Sequence, residues 1–450
     1  MPSPEVIVVG AGIAGLGAAG LLQSRGISTL VLEKSGSPGG RSKTRVLPGG
    51  WRVDSGTHCV DLGDQSPYAD LLARVGAEVS WSRPITGIKV FDQGRWVTDA
   101  EYLGIVNDRD NGLARLDEEI GRMSDEDLAA LDAVSLETLI ERLDVPDRLA
   151  EYMKMLGMVY TTLTDPEKIS AGEFAYLYRE GSRRRGPGSA LSAVRMPLGG
   201  ISTAIEAQAE AFLAKGGILE PGRKVLKVEK PPRGGWAVIT EGEVYRAPTV
   251  VLAVPLWHLV KILDLNDPAG PWPLAWKSRI SELTQETSAS MGFTMGVNMI
   301  MLEEPVYLSC WRLPGLDLPL QCLVHSVFDD TTAPPGHSLA FIGAVCTPRQ
   351  ALDAEFRRRT LAGFWDLTQK MFPGVEEKVV WKQDGFYVGV DGLARAPYMT
   401  GTHRPPVFLA DVPGVYFAGD CYTGRGVGMN AAANSAMLCA EKILTDLEKI

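Results

Sequence analysis

Two glycine-rich stretches near the start of the chain have the residue types and spacing to hold phosphates. The first is Gly10-Ala11-Gly12-Ile13-Ala14-Gly15, directly after the apolar run Val6-Ile7-Val8-Val9 and at the head of Ala14–Ser24, whose composition favours a helix. Each glycine has its own task. Gly10 permits a tight turn, Gly12 has no Cβ to obstruct a pyrophosphate, and Gly15 lets the helix pack closely on the strand. The helix N-terminus adds unpaired N–H groups and the positive end of the helix dipole. Glu33, 18 residues after Gly15 at the end of the β-rich run Thr29–Glu33, can accept hydrogen bonds from both hydroxyls of a ribose. A carboxylate there repels a 2′-phosphate, so FAD or NAD fits better than NADP, and the adjacent Lys34 weakens that argument only slightly. The second stretch, Gly39-Gly40-Arg41-Ser42, combines backbone approach with a charged donor for a second phosphate.

These residues need a frame that brings strand, turn and helix together. Residues 1–34 give strand, turn, helix, strand, the βαβ start of an α/β domain. Residues 65–195 change character and are acidic and mostly helical. There Ser124 and Asp127 are spaced as a capping box, followed by Leu128, Leu131, Val134, Leu139, Ile140 and Leu143 at helical spacing. Such a stretch is more often a solvated amphipathic face than a site. The basic run Arg183-Arg184-Arg185 falls in a Gly/Ser/Pro-rich segment and is expected to be a solvent-facing loop. A helix over Ser202–Lys215 follows Leu198-Gly199-Gly200-Ile201. Lys224–Lys230, Trp236–Thr240 and Val244–Arg246 then suggest a small antiparallel meander. Val250–Val254 and Val415–Ala418 have the composition of buried strands. Between them, residues 282–390 alternate β-like runs with a helix at Asp353–Met371, and Met429–Leu447 is a long Ala-rich helix. The chain is therefore expected to visit one α/β domain three times, at 1–64, 196–281 and 391–450. A second, α+β domain would be made by 65–195 and 282–390, with its largely helical part at about 100–195.

Composition narrows the function classes. The chain has 450 residues, 45% hydrophobic and 22% charged, which excludes disordered, collagen-like and small disulfide-stapled classes. The net charge of −10 argues against nucleic-acid binding. The six cysteines form no CxxC pair and fit reduced thiols in a cytoplasmic protein, and no metal-ligand cluster or Cys/His dyad is visible. The longest apolar run, Val6–Leu22, contains five glycines and would make a poor membrane span, so the expectation is a soluble protein. Peripheral membrane contact needs only a surface patch and stays open, as does a homodimer. Glycine is in excess, 49 of 450 or about 11% against an expected ~7%, with no collagen-like period.

Taken with Glu33, the two glycine stretches resemble the flavin-dependent amine oxidase, phytoene desaturase and protoporphyrinogen oxidase superfamily. The resemblance continues along the chain. Trp51-Arg52-Val53-Asp54-Ser55-Gly56-Thr57-His58 looks like the stretch that lies beside the flavin ring, and Pro197-Leu198-Gly199-Gly200 like the re-entry motif. Val225-Leu226-Lys227-Val228 resembles the strand that meets the adenine, and Val250-Val251-Leu252-Ala253-Val254-Pro255 a further family strand. Val415-Tyr416-Phe417-Ala418-Gly419-Asp420, with Gly424-Arg425-Gly426-Val427-Gly428-Met429-Asn430-Ala431-Ala432-Ala433, resembles the C-terminal FAD motif. The resemblance implies a Rossmann-like FAD-binding domain interleaved with the substrate domain. It also implies noncovalent FAD, since Cys421 matches a covalent attachment position poorly. The cofactor set it implies is Gly10, Gly12, Ile13, Ala14, Gly15, Glu33, Lys34, Gly40, Arg41, Ser42, Gly56, Thr57, His58, Val225, Ala253, Gly419, Asp420, Gly428, Met429, Asn430 and Ala433. In it Asp420 would hold a ribityl hydroxyl or lie near the pyrophosphate. The helix starting near Met429 would aim its N-terminus at the flavin C2=O/N1 region.

Departures from the family pattern bear on the reaction. Amine oxidases usually place an aromatic wall late in the C-terminal motif, where this chain has Gly428. They often carry a lysine near flavin N5, in a segment that here, Leu283–Met301, contains none. Both weaken an amine substrate. The expected activity is an FAD-dependent dehydrogenase or desaturase of an apolar, isoprenoid-like or polycyclic substrate, and the sequence leaves the electron acceptor open, with oxygen or a quinone as the options. An amine or amino-acid oxidase and a non-redox flavoprotein isomerase are the alternatives. Tyr152, Met153, Met155, Met158, Tyr160, Phe174, Tyr176, Tyr178, Met291, Phe293, Met295 and Met299 form a set that is more often core than pocket, and an apolar pocket where it does line one. His58, Tyr387 and Arg395 are the candidate polar groups beside the ring.

Overall fold

A computed structural model of the chain describes residues 3–56, 58–104, 112–184, 194–232, 234–268, 270–311 and 318–448, without the side chains of 112–115 and 184. A parallel sheet carries the strands in the order Val415–Phe417, Thr249–Leu252, Val6–Val9, Thr29–Glu33 and Ile218–Pro221. The central strand is apolar at every position because both faces are covered: Val8 pairs with Val251 on one side and Val31 on the other. The helix Ile13–Gln23 leaves the central strand at the glycine turn and packs on the C-terminal helix Gly428–Leu447 and on Ile201–Ala214. Close approach of the helices depends on small residues. A Cβ on Gly17 would lie 2.6 Å from Leu71 Cδ2 and 3.2 Å from Ala436 Cβ. The antiparallel meander Val225–Glu229, Trp236–Thr240, Val244–Ala247 lies beside this layer as the sequence suggests.

A second, seven-stranded sheet runs in the order Val379–Val388, Ala289–Val297, Ser338–Cys346, Leu320–Val324, Tyr307–Cys310, Ile88–Asp92 and Arg95–Thr98. Its pairings are antiparallel apart from the parallel pair of Tyr307–Cys310 with Ile88–Asp92. In register, Gly343, Gly292 and Gly385 lie side by side on three adjacent strands. A Cβ on Gly292 would stand 2.4 Å from the Ile342 carbonyl oxygen, so two of these strands approach more closely than any side chain permits. The helix Ala354–Met371 packs beside the sheet, with the Asp353 side chain accepting from Glu355 N–H and Phe356 N–H as its N-cap.

The helices Asp125–Leu131, Leu136–Leu143, Asp147–Thr161 and Ala171–Arg184 share a core with the seven-stranded sheet. The Ser124/Asp127 capping box forms, and Leu128, Leu139, Ile140 and Leu143 are buried, so this stretch is packed core as well as solvated face. The basic run departs from expectation. Arg183 and Arg184 end the helix Ala171–Arg184, and Arg183 pairs with Glu180, while Arg185 lies outside the described residues. The residues around the second glycine stretch and Trp51–Gly56 pair as an antiparallel hairpin, Ser42–Leu47 with Trp51–Gly56.

Candidate functional site

The site begins at the carboxyl ends of the parallel strands, where a doubly wound sheet leaves a crevice. Gly10 turns the chain there with φ +106°, and a Cβ on it would sit 2.6 Å from the Ala253 carbonyl oxygen. Gly15 faces the turn itself, since its Cβ would meet the Gly10 carbonyl oxygen. Gly12 differs, because a Cβ there would meet nothing within 4 Å. It opens onto a groove of about 520 Å³ lined by Gly10, Gly12, Ile13, Ala14, Glu33, Lys34, Gly40, Arg41, Ser42, Val225, Ala253, Gly419, Asp420, Gly428 and Met429. Glu33 is buried at the end of its strand, where Oε2 accepts Ala11 N–H at 2.8 Å and Oε1 accepts Ser35 N–H at 2.8 Å. Lys34 Nζ lies 3.2 Å from His258 Nε2 at the rim of the groove.

A second cavity, about 660 Å³, continues from the first. Gly40, Arg41, Trp257, Val390, Gly428 and Met429 line both. At this junction Arg41 Nη2 pairs with Asp420 Oδ1 at 2.5 Å, and Arg41 Nη1 donates to the Gly389 and Val390 carbonyls. Asp420 Oδ2 also accepts Gly392 N–H at 2.7 Å. Buried though it is, the Asp420 carboxyl is held below the usual range, because Arg41 and the Gly392 N–H outweigh desolvation. The expected phosphate donor and the expected ribityl acceptor are therefore joined to each other as the hinge between the two spaces.

The second cavity is largely apolar. Ile85, Val159, Tyr160, Val194, Leu323 and Phe341 line it, together with strand Ala289–Val297 through Ser290, Gly292 and Thr294. Of the Met/aromatic set, Tyr160, Met291 and Phe293 reach this lining and most of the others are core. His58 lines it with its ring 4.9 Å from that of Phe341 and 5.1 Å from that of His325. Burial pushes the His58 imidazole down to about 4, so it is neutral at physiological pH, and its Nδ1 has no partner among the described residues. Asp61 also lines the cavity, where burial, and then the facing carboxylate of Asp391, push it up to about 6. Asp391 is anchored, its Oδ2 accepting the Thr162 hydroxyl at 2.9 Å. Tyr387 lines the outer part of the cavity and is 44% exposed.

Several expected site residues lie elsewhere. Arg395 lines neither cavity. It is fully buried, donates from Nη1 to the Leu393 carbonyl, and stands 3.6 Å from Asp391 Oδ1, which makes it a core cation rather than a group beside the ring. Ala433 is buried in the C-terminal helix, and its neighbour Ala432 faces the groove, because only one side of a helix turns toward it. Gly56 and Asn430 line the second cavity only, and Thr57 lies outside the described residues. Residues missed by sequence reasoning include Trp257 and His258, which follow strand Thr249–Leu252. Their place just beyond a parallel strand was the available signal. Asp61 and Asp391 carry no such signal, since they meet only in three dimensions.

The groove fits an FAD on physical grounds. Two long helices, Ile13–Gln23 and Gly428–Leu447, begin at it with no side-chain cap on their first N–H groups. At Gly12 and Gly428 a Cβ would enter open space. The first helix and Gly40 would hold the pyrophosphate, Glu33 the ribose, and the head of the second helix the flavin.

Comparison with known proteins agrees in outline. The family described as flavin containing amine oxidoreductase matches residues 13–444. A phytoene dehydrogenase of Streptomyces griseus is 24% identical, over 98% of this chain and 95% of its own length. Among solved structures, an oxidoreductase from Methanosarcina mazei superposes with a TM-score of 0.78 at 19% identity, covering 97% of this chain and 99% of that one. The cyclohexylamine oxidase of Brevibacterium oxydans superposes with a TM-score of 0.69 at 18% identity, covering 99% and 100%.

Proposed function

This chain belongs to the flavin containing amine oxidoreductase family, and within that family we propose that it is an FAD-dependent dehydrogenase or desaturase of an apolar, uncharged substrate. Bound FAD supplies the redox chemistry, taking up a hydride equivalent from a substrate carbon. The protein binds, orients and keeps water out. The observation that carries the reading is the wall of the second cavity. Its lining is largely aliphatic and aromatic with Asp61 and Asp391 among its polar groups, its histidine is neutral, and at Gly428 no side chain closes an aromatic cage around an ammonium group. Ser290, Gly292 and Thr294 line it from the strand where a lysine would be expected in an amine oxidase. The relationship to a phytoene dehydrogenase supports the same class of substrate.

In this reading Arg41 and Asp420 fix the junction, and the uncapped head of the C-terminal helix would offer its N–H groups and positive dipole end to negative charge on the flavin. His58, through its unpartnered Nδ1, and the Asp61 carboxyl are the polar groups available to orient a substrate or hold a proton. FAD is held noncovalently. The Cys421 thiol in the groove is pushed up to about 12, by burial first and then Asp420, and so stays protonated and unreactive. Acid precipitation is expected to release all the flavin.

The deciding experiment is anaerobic bleaching of the flavin by a panel of lipophilic alkenes, tetrapyrrole precursors and amines. Reduction by a lipophilic alkene or polycyclic donor is expected, followed by reoxidation with oxygen or a quinone. Rapid bleaching by a primary or secondary amine alone, with peroxide release in air, would overturn the reading. Turnover with no net reduction would point to an isomerase.

A further inference from the structure

The edge strand Val379–Val388 carries a glycine that nothing in the fold explains. Gly385 pairs with Gly292 in regular register, between the pairs Ser290 with Tyr387 and Thr294 with Gln383, so it marks neither a bulge nor a break in the ladder. Its φ lies outside the left-handed region, and the backbone there accepts any residue. A Cβ on it would meet nothing within 4 Å among the described residues, so neither another backbone nor an aromatic ring takes up the space. The other two glycines of the row differ. A Cβ on Gly343 would stand 2.6 Å from the Met291 carbonyl oxygen, and one on Gly292 2.4 Å from that of Ile342, so the sheet itself requires both. A glycine inside a strand weakens it, and it ordinarily marks a bulge, a sharp bend, or the close approach of another backbone or a ligand. For Gly385 the ligand is what remains.

Gly385 also lies where the second cavity meets solvent. It is exposed, whereas Gly292 and Gly343 are buried, and Gly385 and Gly292 both line the cavity. The row of glycines therefore runs inward from the rim of the sheet, across the strands. Gln383 and Tyr387 flank it on the same face, a separation of about 13 Å at the usual rise of a strand. Gln383 is held in place by Arg45, whose Nη2 donates to its Oε1 at 3.2 Å. At the inner end the Phe341 ring covers Gly343, with Cζ 2.6 Å from where a Cβ would be, and the His58 ring stands 4.9 Å from that of Phe341. Side chains thus rise on both sides of Gly385 and Gly292 and beyond them, and the floor between is backbone.

We propose that substrate enters over the edge strand at Gly385 and lies across the strands on Gly385 and Gly292, so that the missing side chain at 385 sets the width of the entrance. The molecule this passage admits is narrow and flat, an uncharged conjugated rod or the edge of a planar ring. A backbone floor between two ridges of side chains accepts a thin molecule and rejects one that is broad in cross-section. The passage brings the leading end of such a molecule to Phe341 and His58. Valine at 385 would suit the strand better than glycine, and its side chain would occupy the entrance. This inference rests on the second cavity being the substrate space, and it does not depend on which bond of the substrate is oxidised.

The test uses the FAD-loaded enzyme and two uncharged fluorescent probes. One is 1,6-diphenylhexatriene, a flat rod. The other is 9,10-diphenylanthracene, whose phenyl rings stand across the plane and make it broad. Entry is read by stopped flow as quenching of the probe by the bound flavin. The wild type is expected to quench the rod and leave the broad probe unquenched. Gly385→Val should slow entry of the rod at least tenfold, and Gly385→Ala by less, with flavin content at the wild-type level and no fall in melting temperature. Val380→Thr, on the same strand and outside the cavity lining, should leave the rate unchanged. Entry into Gly385→Val at the wild-type rate, equal slowing by Val380→Thr, or a wild type that admits both probes alike or neither would each overturn the proposal. So would a Gly385→Val enzyme that loses flavin or melts lower, because the glycine would then serve the fold. None of these readings requires reduction of the flavin. Bleaching by an amine alone would therefore overturn the dehydrogenase reading and leave this one standing.

Discussion

Gly12 and Gly10 show how two glycines of one motif can matter for different reasons. Gly10 is required by the protein, since its φ of +106° and its contact with Ala253 exclude a side chain. Gly12 has an ordinary φ of −81° and faces open space, so it is required only by the ligand. Gly12→Asn places a good N-cap residue at the head of the first helix and should change the stability of the apoprotein by no more than about 0.5 kcal/mol. It should weaken FAD binding by about tenfold or more, because the side chain enters the space the pyrophosphate needs. Chemical melts of the apoprotein and flavin titration separate the two effects. Asp61 gives a pH-dependent counterpart. Its folded-state pKa, raised from 3.8 to about 6, means that the native state holds its proton longer than the unfolded chain does. Stability attributed to this group is therefore present below about pH 4 and lost as pH rises toward 6. Asp61→Asn should leave stability unchanged near pH 4 and raise it by about 1–3 kcal/mol at pH 8. Urea melts at the two pH values check the sign. An equal effect at both would show that Asp61 does not titrate as described.

At the scale of elements, the loop before the C-terminal helix is held by the helical part of the chain. Arg425 reaches Asp132 with two hydrogen bonds, 3.0 and 2.9 Å, just after the helix Asp125–Leu131. Glu173, in the first turn of Ala171–Arg184, accepts Gly426 N–H at 2.8 Å, and the Thr400 hydroxyl completes the cluster on Asp132. Since Gly428 and Met429 line both cavities, this clamp sets where the uncapped helix end points. Arg425→Met removes the partner of a carboxylate whose side chain is 1% exposed and should cost about 3–5 kcal/mol. Arg425→Lys should recover only part of that, because an ammonium group cannot reproduce the two-pronged contact. Urea melts give the cost, and faster flavin release gives the consequence for the site. The clamp also marks the limit of what the sequence discloses. Arg425 is visible in the C-terminal motif, but Asp132 and Glu173 lie in a stretch whose local signal is only helical periodicity. The nucleotide half was legible because its glycines, Glu33 and the strands around them carry local pattern: the strands Val6–Val9 and Thr29–Glu33 and the helix Ile13–Gln23 lie within a residue or so of where the residues alone place them. The substrate half depends on pairings between strands far apart in the chain. Neither the burial of Arg395 in the core nor the junction of Arg41 with Asp420, 379 residues away, could be read from spacing.

At the scale of the whole molecule, the cofactor groove is built from stretches that are distant in sequence and adjacent in space. Gly12 and Gly40 come from the first stretch, Val225 and Ala253 from the second, Gly419 and Met429 from the third. The central strand Val6–Val9 pairs with Thr249–Leu252, which pairs with Val415–Phe417, so the sheet already joins all three. A ligand that touches each of them binds the assembled arrangement and has no comparable site in the unfolded chain. By linkage, FAD at one hundred times its Kd should add about 2.7 kcal/mol to stability. For a chain of this size that corresponds to a rise of roughly 3 °C in melting temperature. The rise should grow with FAD concentration and, at the same FAD concentration, fall to about half in Gly12→Asn if binding is weakened tenfold. It should be much smaller with NADP, because the buried Glu33 carboxylate opposes a 2′-phosphate. Thermal melts of the apoprotein titrated with each dinucleotide measure it. An equal rise with NADP, or a rise undiminished in Gly12→Asn, would move the cofactor away from this groove.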